Sequence, residues 1–271
     1  MYSARYGNIY SVRQLLQLTE EVAGNSAPFT HVWSKNGRYV DALRPAVEPQ
    51  GLGSPEEVVE HRKYHISRVK KLFLEIDLFI FTLGLTEMWS HIDSGRVFPT
   101  APGTLAGEFD DNKYKFVNAN VFEIVEDFHL FQKSLKEIRG GKSCQILLTV
   151  SPVPLTASAS NNHVLVSTAY SKSTLRSAAG FLAGESEDID YFPSYEIVTN
   201  PRLHSTAFAE NLRSVRSETV ENVMSHFFKV HRPLSDHNPD KRPSANLPNK
   251  KRSNSLQNLQ CEEAMMEAFN K

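Results

Sequence analysis

Hydrophobic residues recur every three or four positions along several stretches of the chain, and this is the spacing of one face of an α-helix. The spacing predicts helices over residues 8–21, 54–75, 118–138, 163–183 and 214–230. Two shorter runs, 77–83 and 145–150, are mostly apolar throughout, which is typical of strands that are buried on both faces. Because helices and strands alternate, the pattern predicts an α/β domain with a parallel sheet.

Other stretches lack such a period. Residues 28–53 and the Gly- and Pro-containing stretch between the first strand and the third helix are expected to be irregular. Residues 189–197 are expected to form a strand followed by a loop. Towards the C-terminus the chain becomes rich in Pro, Asn, Ser, Lys and Arg. We therefore expect a folded domain over 1–232 and a disordered tail over 233–271, with a short helix at 261–269.

Charge and composition exclude several classes of function. The 30 Lys and Arg residues are balanced by 31 Asp and Glu, so the formal net charge is −1 and we expect no nucleic-acid partner. No apolar run reaches 18 residues, so we expect no membrane span. Cys144 and Cys261 cannot build a disulfide framework, and the N-terminus has no apolar signal-peptide region. These features favour a reducing, cytoplasmic location.

Polar residues follow both predicted strands at the points where the strands end. Gly84, Thr86 and Glu87 come after the first strand, and Ser151 comes directly after the second. Open parallel sheets bind ligands beyond the carboxyl ends of their strands. Turn chemistry explains the glycine, but an acid at a strand exit must be solvated, paired or functional. His163, a little further along, is a candidate general base because imidazole titrates near neutral pH.

Further motifs have simpler explanations. Gly141-Lys142-Ser143 resembles the end of a phosphate-binding loop but lacks the upstream glycine, so we interpret it as a turn between a helix and a strand. His61 and His65 are four residues apart, as zinc ligands can be, but no third ligand is near and we expect a solvent-exposed helix face. Tyr195 and Glu196 end an aromatic cluster whose rings are expected in the core. Nothing in the sequence requires a metal or an organic cofactor.

Four segments carry a family resemblance. They are Ala4-Arg5-Tyr6-Gly7-Asn8-Ile9-Tyr10, Phe81-Thr82-Leu83-Gly84-Leu85-Thr86-Glu87, Leu148-Thr149-Val150-Ser151-Pro152-Val153-Pro154-Leu155 and Tyr191-Phe192-Pro193-Ser194-Tyr195-Glu196. Together they resemble the GSCFA-domain family, a branch of the SGNH-hydrolase-like proteins, over about residues 2–230. The resemblance implies a three-layer α/β/α fold with a parallel, flavodoxin-like sheet. It also implies an esterase or acyltransferase that acts on a small-molecule or carbohydrate ester, with a link to bacterial surface polysaccharide.

The resemblance also implies roles for residues of this chain. Gly84 matches a glycine of the oxyanion hole, Thr86 replaces an asparagine but can still donate a hydrogen bond, and Glu87 keeps the charge of an aspartate. Pro152 lacks the backbone N–H that a nucleophile at Ser151 would use for its oxyanion hole. The remaining candidates are Ser151 as nucleophile, His163 as base, Glu196 as the alternative to Glu87 in orienting that base, and Tyr195 in the pocket.

Two family features are absent from the sequence. The Gly-Ser-Cys-Phe-Ala motif that names the family does not occur, and neither does the histidine of the superfamily's C-terminal motif. We therefore expect an N-terminally truncated form whose sheet lacks its first strand. Deleting the nucleophile of an acyl-transfer site costs on the order of a million-fold in turnover. The function is thus expected to be either ester chemistry or that of a catalytically inactive binding module.

Overall fold

The structure, a computed structural model, describes residues 4–26 and 31–231. Its helices are α1 (Val12–Ala23), α2 (Pro55–Glu75), α3 (Val121–Ile138), α4 (Val164–Glu185), α5 (Ser194–Thr199), α6 (His204–Ala207) and α7 (Ser217–Val230). Its strands are β1 (Val32–Lys35), β2 (Arg38–Asp41), β3 (Leu78–Leu83), β4 (Glu87–His91), β5 (Val97–Phe98), β6 (Tyr114–Asn118), β7 (Gln145–Val150) and β8 (Ile189–Tyr191). The predicted tail at 233–271 and its helix lie outside the described residues.

A parallel sheet with the strand order β3-β7-β8 confirms the predicted α/β class. The central strand β7 is buried on both faces beyond its first residue, as predicted. That prediction was wrong for β3, where Leu78 and Ile80 are 41% and 52% exposed. Among the described strands β3 pairs with β7 alone, so it is an edge strand, and the face that carries Leu78 and Ile80 is only partly covered in this part of the chain. The expected absence of a first strand stays a prediction.

Helices cover the sheet on both sides. Phe79 of β3 contacts Phe73 of α2 and Phe131 of α3, with ring centroids 6.1 and 5.2 Å apart. On the other face, the hydroxyl groups of Thr149 in β7 and Ser194 in α5 lie 2.5 Å apart. The buried face of α4 closes the larger core with Leu175, Ala178, Ala179 and Leu182. The sheet is therefore the middle layer of a three-layer α/β/α arrangement.

Helix ends carry the signals that predicted them. The side chain of Ser54 accepts a hydrogen bond from the Glu57 amide, and Pro55 begins α2, where its missing N–H costs nothing. Gly24 ends α1 in the left-handed conformation, with φ +82°, and its amide donates to the Glu20 carbonyl. These local contacts explain why α2 begins and α1 ends close to the positions that the spacing indicated, whereas α1 begins four residues later than predicted, at Val12.

Two small antiparallel sheets occupy stretches that were predicted to be irregular. The hairpin of β1 and β2 turns at Asn36 and Gly37, which have φ of 49° and 73°. Asn-Gly is a strong signal for such a turn, so this hairpin was predictable from the sequence. The sheet β5-β4-β6 lies in the Gly- and Pro-containing stretch. Its strands have two to five residues, so the alternation within each is too brief to indicate a strand.

A network of buried charges joins α1, β2 and α2. Arg62 donates to the two carboxylate oxygens of Glu21 at 3.0 and 2.5 Å and lies 3.6 Å from Asp41. His65 was expected on an exposed face, but it is buried because the N-terminal segment packs against this side of α2. Its Nδ1 lies 2.7 Å from the carbonyl oxygen of Ala4. Burial lowers the pKa of His65 to about 3, so its ring is neutral at pH 7.

The C-terminal part of the described chain departs from the prediction in two respects. Residues 194–199 form α5 instead of a loop. The predicted last helix is present as α7, but none of its residues is buried, although its apolar spacing predicted an inward face. One compact unit ends at Phe227, within α7, and the structure describes the second unit, 228–271, only as far as residue 231.

Candidate functional site

The carboxyl ends of β3 and β7 lie side by side. Leu83 is in register with Val150, and the Ser151 amide donates a hydrogen bond of 2.9 Å to the Leu83 carbonyl oxygen. The two strand exits that the sequence singled out, at Gly84 and at Ser151, are therefore neighbours. This is the edge of a parallel sheet at which ligands bind in open α/β folds.

Gly84 lies against the backbone of the segment before α1. Its amide donates to the Tyr10 carbonyl oxygen at 2.9 Å, and a Cβ at this position would lie 3.2 Å from that oxygen. A larger residue would therefore press against the Tyr10 backbone. The same hydrogen bond occupies the N–H that an oxyanion role would use. The assignment of Gly84 to the oxyanion hole stays a prediction, and it requires this bond to open.

Thr86 is completely buried beside α4. Its amide donates to the Ser171 hydroxyl oxygen at 3.3 Å. Its own hydroxyl is buried and has no hydrogen-bond partner within the described part of the chain. Leaving a hydroxyl unpaired away from water costs roughly 1–3 kcal/mol. A buried polar group without a partner at the end of a strand is a reason to consider a ligand there.

Lys172 is a residue of this edge that the sequence reasoning missed. Its side chain is buried, and its Nζ donates a hydrogen bond of 2.9 Å to the Gly84 carbonyl oxygen. No carboxylate lies within 4 Å of the ammonium group among residues 4–26 and 31–231. Burial lowers the pKa of Lys172 to about 8. The available signal was spacing, because Lys172 precedes Leu175 and Ala179 by three and seven residues and so shares their inward face.

Glu87 begins β4 and is held by a chain of serine hydroxyls. The Ser158 hydroxyl donates to its Oε1 at 2.7 Å. Ser158 is 2.7 Å from the Ser160 hydroxyl, which is 2.8 Å from the hydroxyl of Ser167 on α4. The acid at the strand exit is thus paired through the segment that links β7 to α4. The contact fixes this segment over the carboxyl edge of the sheet.

The candidate nucleophile and the candidate base each accept a hydrogen bond from a backbone amide two residues further along the chain. The Ser151 hydroxyl accepts a hydrogen bond from the Val153 amide at 3.3 Å. His163 is the exposed N-cap of α4, where its Nδ1 accepts from the Leu165 amide at 3.2 Å. In the described part of the molecule no hydrogen bond joins His163 to Ser151 or to Glu87. The roles predicted for Ser151 and His163 stay predictions.

Glu196 has a partner of its own. It forms an ion pair with Arg176 of α4 and accepts a hydrogen bond of 2.8 Å from the Tyr191 hydroxyl. The Arg176 guanidinium lies over the Tyr191 ring, 4.2 Å from its centroid. Burial, followed by the bond to Glu196, raises the pKa of Tyr191. The carboxylate therefore connects α4 to α5, while Tyr195 packs against the larger core. Neither residue hydrogen-bonds to Gly84, Thr86 or Ser151 in the described chain.

A comparison with known families covers the whole of this edge. The model of the GSCFA family matches residues 1–227, which is most of the chain. The chain belongs to the GSCFA family. No curated protein and no solved structure gives a significant match. The family assignment confirms the resemblance expected from the four sequence segments, and it covers every residue of the carboxyl edge described above.

In the part of the chain that the structure describes, the carboxyl edge of this GSCFA domain combines the Lys172 ammonium with several hydroxyl groups and the Glu87 carboxylate. Among the described residues, no three His, Cys, Asp or Glu side chains come together in a way that could hold a metal ion. Within the same part of the chain, no helix is both long enough and apolar enough to cross a lipid bilayer. The distinctive chemical feature is the ammonium group of Lys172 in α4, which donates to the Gly84 carbonyl oxygen, two residues before the unpaired Thr86 hydroxyl.

Proposed function

We propose that this GSCFA domain hydrolyses or transfers the acyl group of a small-molecule or carbohydrate ester at the carboxyl edge of β3 and β7. One observation carries this proposal: the buried Lys172 ammonium has no carboxylate partner in the described chain and contacts the segment that carries the unpaired Thr86 hydroxyl. Hydrogen-bond donors that are already in place before the reaction stabilise negative charge best, because little reorganisation is needed as the charge develops. A buried cation in contact with the segment that carries an unpaired hydroxyl fits that requirement.

Ester chemistry needs such donors when the carbonyl carbon is attacked. A hydroxyl oxygen bonds to that carbon, its proton passes to a base, and the carbonyl oxygen becomes an oxyanion. Lys172 and Thr86 donate to this oxyanion. When it collapses, the bond to the alcohol oxygen breaks and the alkoxide takes the proton back. Water then releases the acyl group in hydrolysis, whereas an acceptor hydroxyl receives it in transfer.

The attacking hydroxyl belongs either to Ser151 or, as the resemblance implies, to the serine of a motif that residues 1–271 do not contain, with His163 as the base. Both oxyanion donors are buried, so the segment 151–163 must move when a substrate binds. The hydroxyl contact between Ser158 and Glu87 is the one that opens in this movement. Variants of Ser151 test whether the chain carries its own nucleophile.

The test is the turnover of a chromogenic acetate ester and of an acetylated sugar by the purified chain. Lys172→Met should lower kcat/KM by about 100-fold or more, the usual cost of removing one oxyanion donor. Lys133→Met is the matched control, because Lys133 is exposed on α3 and makes no contact with this edge. Full activity of Lys172→Met would contradict the oxyanion role, and full activity of Ser151→Ala would exclude Ser151 as the nucleophile.

A second candidate function is a binding module that retains the pocket without the chemistry. The observation that favours it is that no hydrogen bond joins His163 to Ser151 in the described chain, whereas nucleophilic catalysis requires such a pair. A binding module would be stabilised thermally by an acetylated sugar and would not release acetate. Saturable turnover that a serine-directed reagent abolishes would exclude this candidate.

A further inference from the structure

A cavity of about 530 Å³ lies between the N-terminal segment, β2 and α2. Its volume falls within the range of roughly 300–1,000 Å³ that is usual for small-molecule sites. Part of its wall is apolar and comes from Val40, Val47, Leu52 and Val58. None of its lining residues belongs to the carboxyl edge at Gly84, Thr86, Ser151 or Lys172. What binds there is therefore a separate question from the ester chemistry.

The cations of this cavity are anchored to different degrees. Arg44 is buried and donates to Asp41 at 2.9 Å and to the Arg5 carbonyl oxygen at 3.0 Å. Arg5 pairs with Glu48 at 2.5 Å. Arg68 has no carboxylate within 4 Å among the described residues. Three arginines thus share the lining with two acids, and Arg68 is the cation whose charge is not compensated.

Arg68 is also held in place. Its guanidinium lies 4.8 Å from the centroid of the Tyr64 ring and donates to the Tyr64 hydroxyl at 2.6 Å. These two residues are one helical turn apart on α2, so the rigid helix fixes the pair at the rim of the cavity. An exposed arginine without such contacts would lose more side-chain freedom when it binds an anion. Stacking on Tyr64 reduces that cost.

We propose that this cavity binds a small molecule that carries a carboxylate or a phosphate on an apolar body. The guanidinium of Arg68 receives the oxyanion, since its planar fork matches two oxygens of either group. The valine and leucine side chains contact the body of the ligand. Arg44 is buried and stays with Asp41, so its charge is balanced and the oxyanion is left to Arg68.

The experiment measures binding to the full chain by calorimetry. The probes are 1-naphthoate and 1-naphthyl phosphate. Two controls each carry one part of the proposed ligand: 1-naphthalenemethanol has the apolar body without the anion, and inorganic phosphate has the anion without the apolar body. Either naphthyl anion should bind at least about tenfold more tightly than the alcohol and than inorganic phosphate, which is about 1.4 kcal/mol. The naphthyl anion that binds more tightly identifies whether the group is a carboxylate or a phosphate. Equal affinity of the alcohol would overturn the anion role, and equal affinity of inorganic phosphate would overturn the apolar one.

The assignment of Arg68 has its own control. Arg68→Gln should lower the affinity for the naphthyl anion by about tenfold or more, because the variant loses a hydrogen bond to a charged group. Lys70→Gln removes one charge from an exposed position of the same helix outside the cavity, and it should leave binding unchanged. Both residues are exposed, so both variants should unfold at the wild-type temperature. Equal loss of affinity in the two variants would show a general charge effect and refute this site.

Discussion

Replacing Lys172 with methionine tests whether the buried ammonium group lowers the free energy of unfolding. The pKa of this lysine falls from 10.5 to about 8 on burial, which corresponds to about 3 kcal/mol against the charged form. Methionine keeps a similar length without the charge. It loses the hydrogen bond to the Gly84 carbonyl oxygen, a loss of about 1–2 kcal/mol. We therefore expect Lys172→Met to be more stable than the wild type by about 1–2 kcal/mol at pH 7.

The same reasoning fixes the sign of the pH dependence. Between pH 8 and 10.5 the unfolded chain still holds the Lys172 proton that the folded chain has released. The free energy of unfolding of the wild type therefore rises with pH across this window, by about 3 kcal/mol in total from this group. Below pH 8 both states are protonated and the contribution is constant. The stability that Lys172→Met gains at pH 7 should therefore disappear towards pH 10.5 and become a loss of about 1–2 kcal/mol, the contribution of the missing hydrogen bond.

The assay is urea denaturation of both proteins at pH 7 and at several values up to pH 10.5, followed by tryptophan fluorescence. Subtracting the free energy of unfolding of the variant from that of the wild type at each pH removes the contribution of the other titrating groups. A difference that does not change with pH would refute the reasoning, since the folded and unfolded pKa values would then be equal. A variant that is less stable than the wild type at pH 7 would also refute it, because the ammonium would then be a net stabilising group. A variant that is stable but inactive would support the proposed oxyanion role.

Three further predictions concern the scaffold. His65, with a pKa of about 3, should stay neutral at pH 5 in an NMR titration, and it should destabilise the folded protein as pH falls from 6.5 towards 3, because only the unfolded chain takes up its proton there. Arg62→Met should lower the free energy of unfolding, measured by urea denaturation, by about 3–5 kcal/mol, since it leaves the buried Glu21 carboxylate without its main partner. Gly107→Ala should cost more than Gly140→Ala in thermal unfolding. Both glycines have positive φ, but only at 107 would the new Cβ meet an indole ring, at 2.8 Å.

Each of these has a control and a result that would contradict it. An imidazole that protonates near pH 6 would show that His65 is solvated. Lys63→Gln removes an exposed ion pair on the same helix as Arg62 and should cost less than about 1 kcal/mol, so equal losses in the two variants would contradict the buried network. Gly107→Ala and Gly140→Ala both place an alanine at a positive φ, so they share this backbone strain. Equal destabilisation would therefore mean that the Trp33 ring moves aside freely from residue 107.

Much of the fold was predictable from local patterns. The long helices α2, α3 and α4 and the strands β3 and β7 were recognised because hydrophobic spacing and capping residues are properties of neighbouring positions. The sheet β5-β4-β6 was missed for the opposite reason, since its short strands are specified by pairing across up to about thirty intervening residues. Residues 97–98 and 114–118 show too few alternations to reveal a strand by themselves.

The candidate site divides in the same way. Gly84, Thr86 and Ser151 were found from the sequence because they directly follow apolar runs that end at one edge of the sheet. Lys172 was not found, because the burial and pKa of its ammonium depend on Gly84, which is 88 residues away in the chain. Local sequence patterns were enough to predict the class of fold, the family and the ends of the two strands. Which groups are buried and paired depends on the tertiary structure, because desolvation and ion pairing arise between segments that are distant in sequence.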